Sequence, residues 1–127
     1  MDNPAECPAS YIEETQQSLD DTETFIKYVR SQARKAATLM AGGAAGVAGD
    51  DEADAASDIP SLVEPVITPR FLPSCSDTLL TGLGALAAKY DCHIQSHCSE
   101  SHWVVDYGKE RFGDTDAAVF ERFGLLR

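Results

Sequence analysis

The segment HIQSHCSE, from His93 to Glu100, places two histidines, a cysteine and a glutamate within eight residues. Along an extended chain side chains alternate between faces. His93, Gln95 and His97 therefore share one face, and Cys92, Ile94 and Ser96 the other. If the second face packs on helices, the first presents three polar groups to a cleft or barrel interior, where each needs a partner or a function. A histidine at the last strand position, with a glutamate three residues on, suits a metal centre beside a proton carrier. Zinc lowers the pKa of bound water to about 7, and a carboxylate can then move the proton. Two other readings use the same residues. One makes Cys92, His93, His97, Cys98 and His102 a structural zinc knuckle, although there is no CxxC pair and adjacent Cys–His ligands close a tetrahedral shell poorly. The other makes His97 a satisfied core histidine and Glu100 a surface carboxylate.

The elements that must position this segment follow from local patterns. Ser10 with Glu13 reads as a capping box opening a helix. Its acids crowd the early turns, and Lys27, Arg30, Arg34 and Lys35 the late ones, as the helix dipole prefers. Leu19, Thr22, Phe25, Ile26 and Val29 form its packing stripe. The Ala/Gly/Asp-rich stretch at 40–58 has no period and reads as a disordered insertion in a surface connection. Pro65 and Pro69 bracket a short strand, Val66–Thr68, ending near Arg70. Ser74 or Ser76 caps a helix with Leu79, Leu80, Leu83, Leu86, Ala87 and Tyr90 on one face. Gly82 and Gly84 weaken that helix or mark close packing. CHIQSH is a second strand, and two short helices follow, closing at Gly113 and Gly124. Strands alternating with helices imply βαβ units and a parallel sheet. Ligands bind such sheets at strand carboxyl ends. Arg70–Phe71 and His97–Glu100 both lie there and are positioned to face one site.

Composition bounds the function. The chain has 127 residues, 43% hydrophobic and 24% charged, which fits one soluble globular unit at most. A net charge of -11 argues against nucleic acid and anionic membrane partners, which require a basic face. No apolar run approaches the roughly 20 residues of a membrane helix. MDNPAECPAS lacks the basic and apolar regions of a signal peptide. A reducing, cytoplasmic setting is expected, with Cys7, Cys75, Cys92 and Cys98 as free thiols.

TPRF, then SCSDTLL, then IQSHCSE at this spacing resembles guanine deaminase, of the amidohydrolase superfamily. The resemblance extends back through EETQQSLDDTETFI and MDNPAECP and forward into FERFGLL, so it spans nearly the whole chain outside the insertion. It implies an α/β fold, part of a (β/α)8 TIM barrel with only a few βα units present. It implies hydrolysis of guanine to xanthine and ammonia in purine catabolism, with one zinc ion and a homodimeric complete enzyme. In that reaction a hydroxide attacks the amino-bearing carbon, a ring nitrogen gains a proton, and ammonia leaves protonated. His97 matches the zinc ligand at a strand end, and Glu100 the glutamate that carries protons. Arg70 matches the arginine that holds the guanine carbonyl, and Phe71 the aromatic lining of the base pocket. Gln95 shares the inward face and is expected to contact the base.

The departures from the family pattern matter as much. The chain has no His-x-His and ends at GLLR, before the next histidine strand and the aspartate strand of the family. Met1 falls at an internal methionine of the pattern. Residues 1–127 are therefore expected to be a piece of the catalytic barrel, inactive alone and unable to hold zinc tightly, because zinc needs at least three protein ligands and a whole barrel takes about 250 residues. The alternatives are a non-catalytic remnant that associates with a full-length deaminase, and another nucleobase deaminase of the same superfamily.

Overall fold

The computed structural model describes residues 1–40 and 63–126. The first long element is helix α1 (Thr15–Met40). The Glu14 carboxylate accepts the Gln17 N–H at 2.7 Å and so caps its start. Gln16–Asp20 and Gln17–Asp21 side-chain pairs, each 2.8 Å, brace the first turns. The expected capping box at Ser10 and Glu13 does not form. Ser10 sits in a 3-10 turn over Ala9–Tyr11, and Glu13 pairs with the Met1 ammonium, a full charge that outcompetes a neutral backbone amide.

Helix α1 also runs further than its charges suggested. Its first turn holds no acid and its last no base, because the Ala-rich stretch after Lys35 continues the helix to Met40. Of the insertion expected at 40–58, all but Met40 lies outside the described residues. In the apolar stripe Ile26 is buried and Leu19, Thr22 and Val29 are half-buried, whereas Phe25 is 53% exposed. One step around the helix from Ile26 carries Phe25 off the packed face.

Strand β1 (Val66–Ile67) and strand β2 (His93–Ile94) pair in parallel, Val66 opposite His93 and Ile67 opposite Ile94. This is the pairing the alternation of elements requires, although each strand is shorter than the sequence pattern indicated. Helix α2 (Asp77–Tyr90) connects them. Ser76 caps it, its Oγ accepting the Leu79 N–H at 3.1 Å. Leu79, Leu80, Leu83 and Ala87 are buried, and Leu86 and Tyr90 pack against them. The two glycines of α2 permit close approach. A Cβ on Gly82 would lie 2.5 Å from Leu19 Cδ1 of α1, and one on Gly84 would lie 1.9 Å from the Phe123 carbonyl oxygen.

Helix α3 (His102–Phe112) begins at Ser101, whose Oγ accepts the Val104 N–H, and ends at Gly113 with φ +72°. Helix α4 (Asp116–Arg122) is capped by Thr115 and followed by Gly124 with φ +70°. A single apolar cluster joins these pieces: Ile26 from α1, Ile67 from β1, Leu72 and Cys75 from the following loop, the α2 leucines, and Val119, Phe120 and Leu125 from the end of the chain. Among the described residues no helix is long and apolar enough to cross a membrane.

Candidate functional site

Past the two-residue strands the chains stay side by side. Gln95 N–H donates to the Ile67 carbonyl at 3.0 Å, and His97 N–H donates to the Arg70 carbonyl at 2.9 Å. The expected alternation of faces is present. Cys92 is buried and Ile94 and Ser96 half-buried, while His93, Gln95 and His97 are exposed. His97 is thus not a core histidine.

The Arg70 carbonyl oxygen is the centre of the site. Besides the His97 N–H it faces His97 Nδ1 at 2.8 Å and accepts Ser96 Oγ at 3.3 Å. A carbonyl can only accept, so Nδ1 carries the proton, and in the neutral imidazole Nε2 is the nitrogen with a lone pair for a ligand. The tautomer and ring orientation of His97 are therefore set by the residue that precedes Phe71. The Arg70 guanidinium stands 5.9 Å from the Phe71 ring centroid. Phe71 is half-buried and packs on Trp103 of α3 at 6.2 Å between centroids, and Trp103 packs in turn on Tyr107 at 5.9 Å. Gln95 Nε2 donates to Thr68 Oγ1 at 3.1 Å, which fixes its amide beside β1.

The structure brings Arg70, Phe71, Gln95 and His97 to one end of the parallel pair. Glu100 lies on the turn beyond them and is exposed. Among the described residues no hydrogen bond or ion pair links it to His97 or Arg70. Nor do the described residues contain any group of three His, Cys, Asp or Glu side chains able to hold a metal ion. The zinc knuckle of Cys92, His93, His97, Cys98 and His102 is accordingly not assembled: Cys92 faces the core while the histidines face out. One imidazole is not a zinc site, and a zinc shell that included His97 would need donors beyond the described residues.

Several supporting residues escaped the sequence reading. Asp2 is buried and accepts from Ser76 N at 2.7 Å, Ser76 Oγ at 2.5 Å and Thr15 Oγ1 at 2.6 Å. Burial works to raise its carboxyl pKa, but these bonds outweigh burial and hold it below its ordinary value. Asn3 donates to the Pro73 carbonyl and to Tyr107 Oη. Arg111 reaches Tyr107 Oη, the Cys75 carbonyl and Asp77. Together they clamp the loop after Phe71 between the start of the chain and α3. All four cysteines are free, and burial pushes the Cys75 and Cys92 thiols up.

No protein-family model matches the chain. Its fold superposes, with a TM-score of 0.71 and 31% identity, on a crystal structure of guanine deaminase from C. acetobutylicum with guanine bound in the active site, over 98% of this chain and 23% of that one. In sequence it is 28% identical to guanine deaminase of Dictyostelium discoideum over 121 residues, 94% of this chain and 21% of that protein. It is 48% identical to human guanine deaminase over 68 residues, 52% of this chain and 15% of that protein. A probable guanine deaminase of Schizosaccharomyces pombe is 43% identical over 67 residues, 51% of this chain and 13% of that protein. These similarities define a mixed helix–strand segment of the amidohydrolase type. More particularly, the chain is guanine deaminase-like in both sequence and fold, and it spans about a fifth or less of the length of the curated relatives it matches.

Proposed function

We propose that this chain forms the guanine-holding and proton-handling wall of a cytoplasmic, zinc-dependent guanine deaminase, a few βα units of a (β/α)8 barrel that works as a homodimer in purine catabolism. The observation that carries the reading is the Arg70 carbonyl, which orients His97 while the same residue directs a guanidinium beside the Phe71 ring. Arg70 then binds the guanine carbonyl oxygen by a charge-assisted hydrogen bond. Phe71, backed by Trp103, offers an aromatic surface for the purine. Gln95 contacts the base edge from β2. His97 Nε2 is one ligand of a zinc shell completed by residues outside those described. Glu100 holds and returns protons at the ring nitrogen and the leaving amine. Zinc, when bound, supplies electrostatic activation of water.

Trp103 packs on Phe71, so its assigned indole resonance reports on the Phe71 wall. Titration of the protein at its native length with guanine should shift the Trp103 indole resonance saturably, and Arg70→Ala should move the titration to higher guanine. A Trp103 resonance unaffected by saturating guanine removes Phe71 from the binding site. Guanine turnover absent at native length favours the non-catalytic reading instead.

A further inference from the structure

We propose that Asp116 is the positioning residue of the His97–Glu100 turn and so sets where Glu100 stands relative to His97; this rests on the reading of those two residues as a working pair. Asp116 opens α4 and is 1% exposed, yet no cation pairs with it among the described residues. Its Oδ2 accepts the Ser99 N–H at 2.8 Å. Ser99 has φ +51°, and only Asp91 shares a positive φ among the described non-glycine residues. Asp91 ends α2, an ordinary place for a left-handed residue. Ser99 has no helix to end. A residue with a Cβ is held in that conformation only where its surroundings impose it.

The surroundings here are a buried carboxylate and the space made for it. A Cβ on Gly108 of α3 would lie 3.0 Å from Asp116 Oδ1 and 3.3 Å from the Asp114 carbonyl oxygen. Glycine at 108 therefore lets the carboxylate sit against the backbone of α3. On the other side of Glu100, Ser101 is fixed as the cap of α3. Glu100 stands between two anchored neighbours, one held by Asp116 and one by a helix. Glu100 is exposed, and among the described residues no hydrogen bond or ion pair ties its carboxyl group to His97, so its backbone anchors are what fix its place. Asp116 reaches neither the Arg70 nor the Phe71 side of the site.

The test uses the protein at its native length, with Asp116→Ala and Asp116→Asn, and reads Ser99 amide exchange together with guanine turnover. In Asp116→Ala the Ser99 amide should exchange roughly 10- to 100-fold faster, the effect of losing a charge-assisted bond. The Leu80 and Val119 amides should keep their protection, kcat should fall, and KM for guanine should hold, since Arg70 and Phe71 are untouched. Asp116→Asn should recover part of kcat, because the amide oxygen still accepts the Ser99 N–H. Unchanged Ser99 exchange in Asp116→Ala, or a raised KM at constant kcat, overturns the proposal. If Asp116→Ala loses Leu80 protection as well, Asp116→Asn decides: several-fold faster exchange at Ser99 alone supports the proposal, and unchanged exchange overturns it. A wild-type protein without guanine turnover sinks the proposed function, while Ser99 exchange still judges Asp116.

Discussion

His97 meets Arg70 twice: its backbone N–H and its Nδ1 both lie within 3 Å of the Arg70 carbonyl oxygen, at 2.9 and 2.8 Å. The same carbonyl thus fixes the strand register and the imidazole. The imidazole of His97 is oriented by the backbone of Arg70, independently of the Arg70 side chain.

Substituting His97 separates these roles. His97→Asn retains a side-chain donor for the Arg70 carbonyl but removes Nε2. Zinc content and turnover should be lost in the native-length protein, while the metal-free protein changes in stability by no more than about 0.5 kcal/mol, as for other exposed positions. Metal analysis, and chemical denaturation of both proteins stripped of metal by a chelator, check the two halves. A large loss of stability would show that the imidazole is structural.

Arg70→Ala should act on binding. The lost charge-assisted bond to the guanine carbonyl should raise KM by about 10- to 100-fold. The backbone carbonyl that orients His97 remains, so kcat should change much less. Steady-state kinetics with guanine resolve the two. A fall in kcat at constant KM would place Arg70 in the chemistry rather than in binding.

The glycines of α2 make a stability prediction independent of function. Gly84→Ala would place its Cβ 1.9 Å from the Phe123 carbonyl, which is backbone and cannot swing away. Destabilisation of about 3 kcal/mol or more is expected. Gly82→Ala meets both methyls of Leu19 and, at 3.2 Å, its Cγ, but that side chain can swing away by a rotamer change, and the helix gains about 1 kcal/mol of propensity from alanine. The two variants should therefore differ widely in urea midpoint. Equal midpoints would mean that α2 does not seat against Phe123 as described.

Acid should loosen the join between α1 and α2. Hydrogen bonds from Lys89, Tyr90 and Lys27 hold the Glu23 carboxyl down at about 2, against an ordinary 4.5. A depressed carboxylate contributes stability fully above its unfolded value and loses it as pH falls through the folded one. The contribution of Glu23 should be complete above pH 4.5 and fade between there and about pH 2. Glu23→Gln should flatten stability against pH in that window, measured by denaturation at stepped pH. An unchanged profile would place the acid sensitivity elsewhere, with Asp2 the next carboxylate to vary.

The parts of this account legible from sequence are those written in short-range patterns. Leu79, Leu80, Leu83 and Ala87 announce the buried face of α2, Ser74 or Ser76 its cap, of which the structure uses Ser76, and the alternation from Cys92 to His97 the exposed polar face. The parallel pairing followed from the order of elements, and the Arg70–His97 juxtaposition from placing both at strand ends. What escaped depends on distant partners. Nothing near Asp2 in sequence points to Ser76, 74 positions away, and TDAAVF reads as a helix start whether or not Asp116 holds Ser99. The Ser10 cap failed because Glu13 found the chain's own amino group. The two strands proved shorter than their β-branched and polar patterns, since irregular backbone carries the pairing on to Arg70 and His97.

The central claim is that Glu100 moves protons at a guanine site, and Glu100→Gln in the native-length protein tests it most directly. Guanine binding, read from the assigned Trp103 indole resonance, should be retained, and turnover to xanthine and ammonia should fall by about 10²- to 10⁴-fold, the scale of a lost general acid–base. Guanine turnover by Glu100→Gln at the wild-type rate would contradict the account.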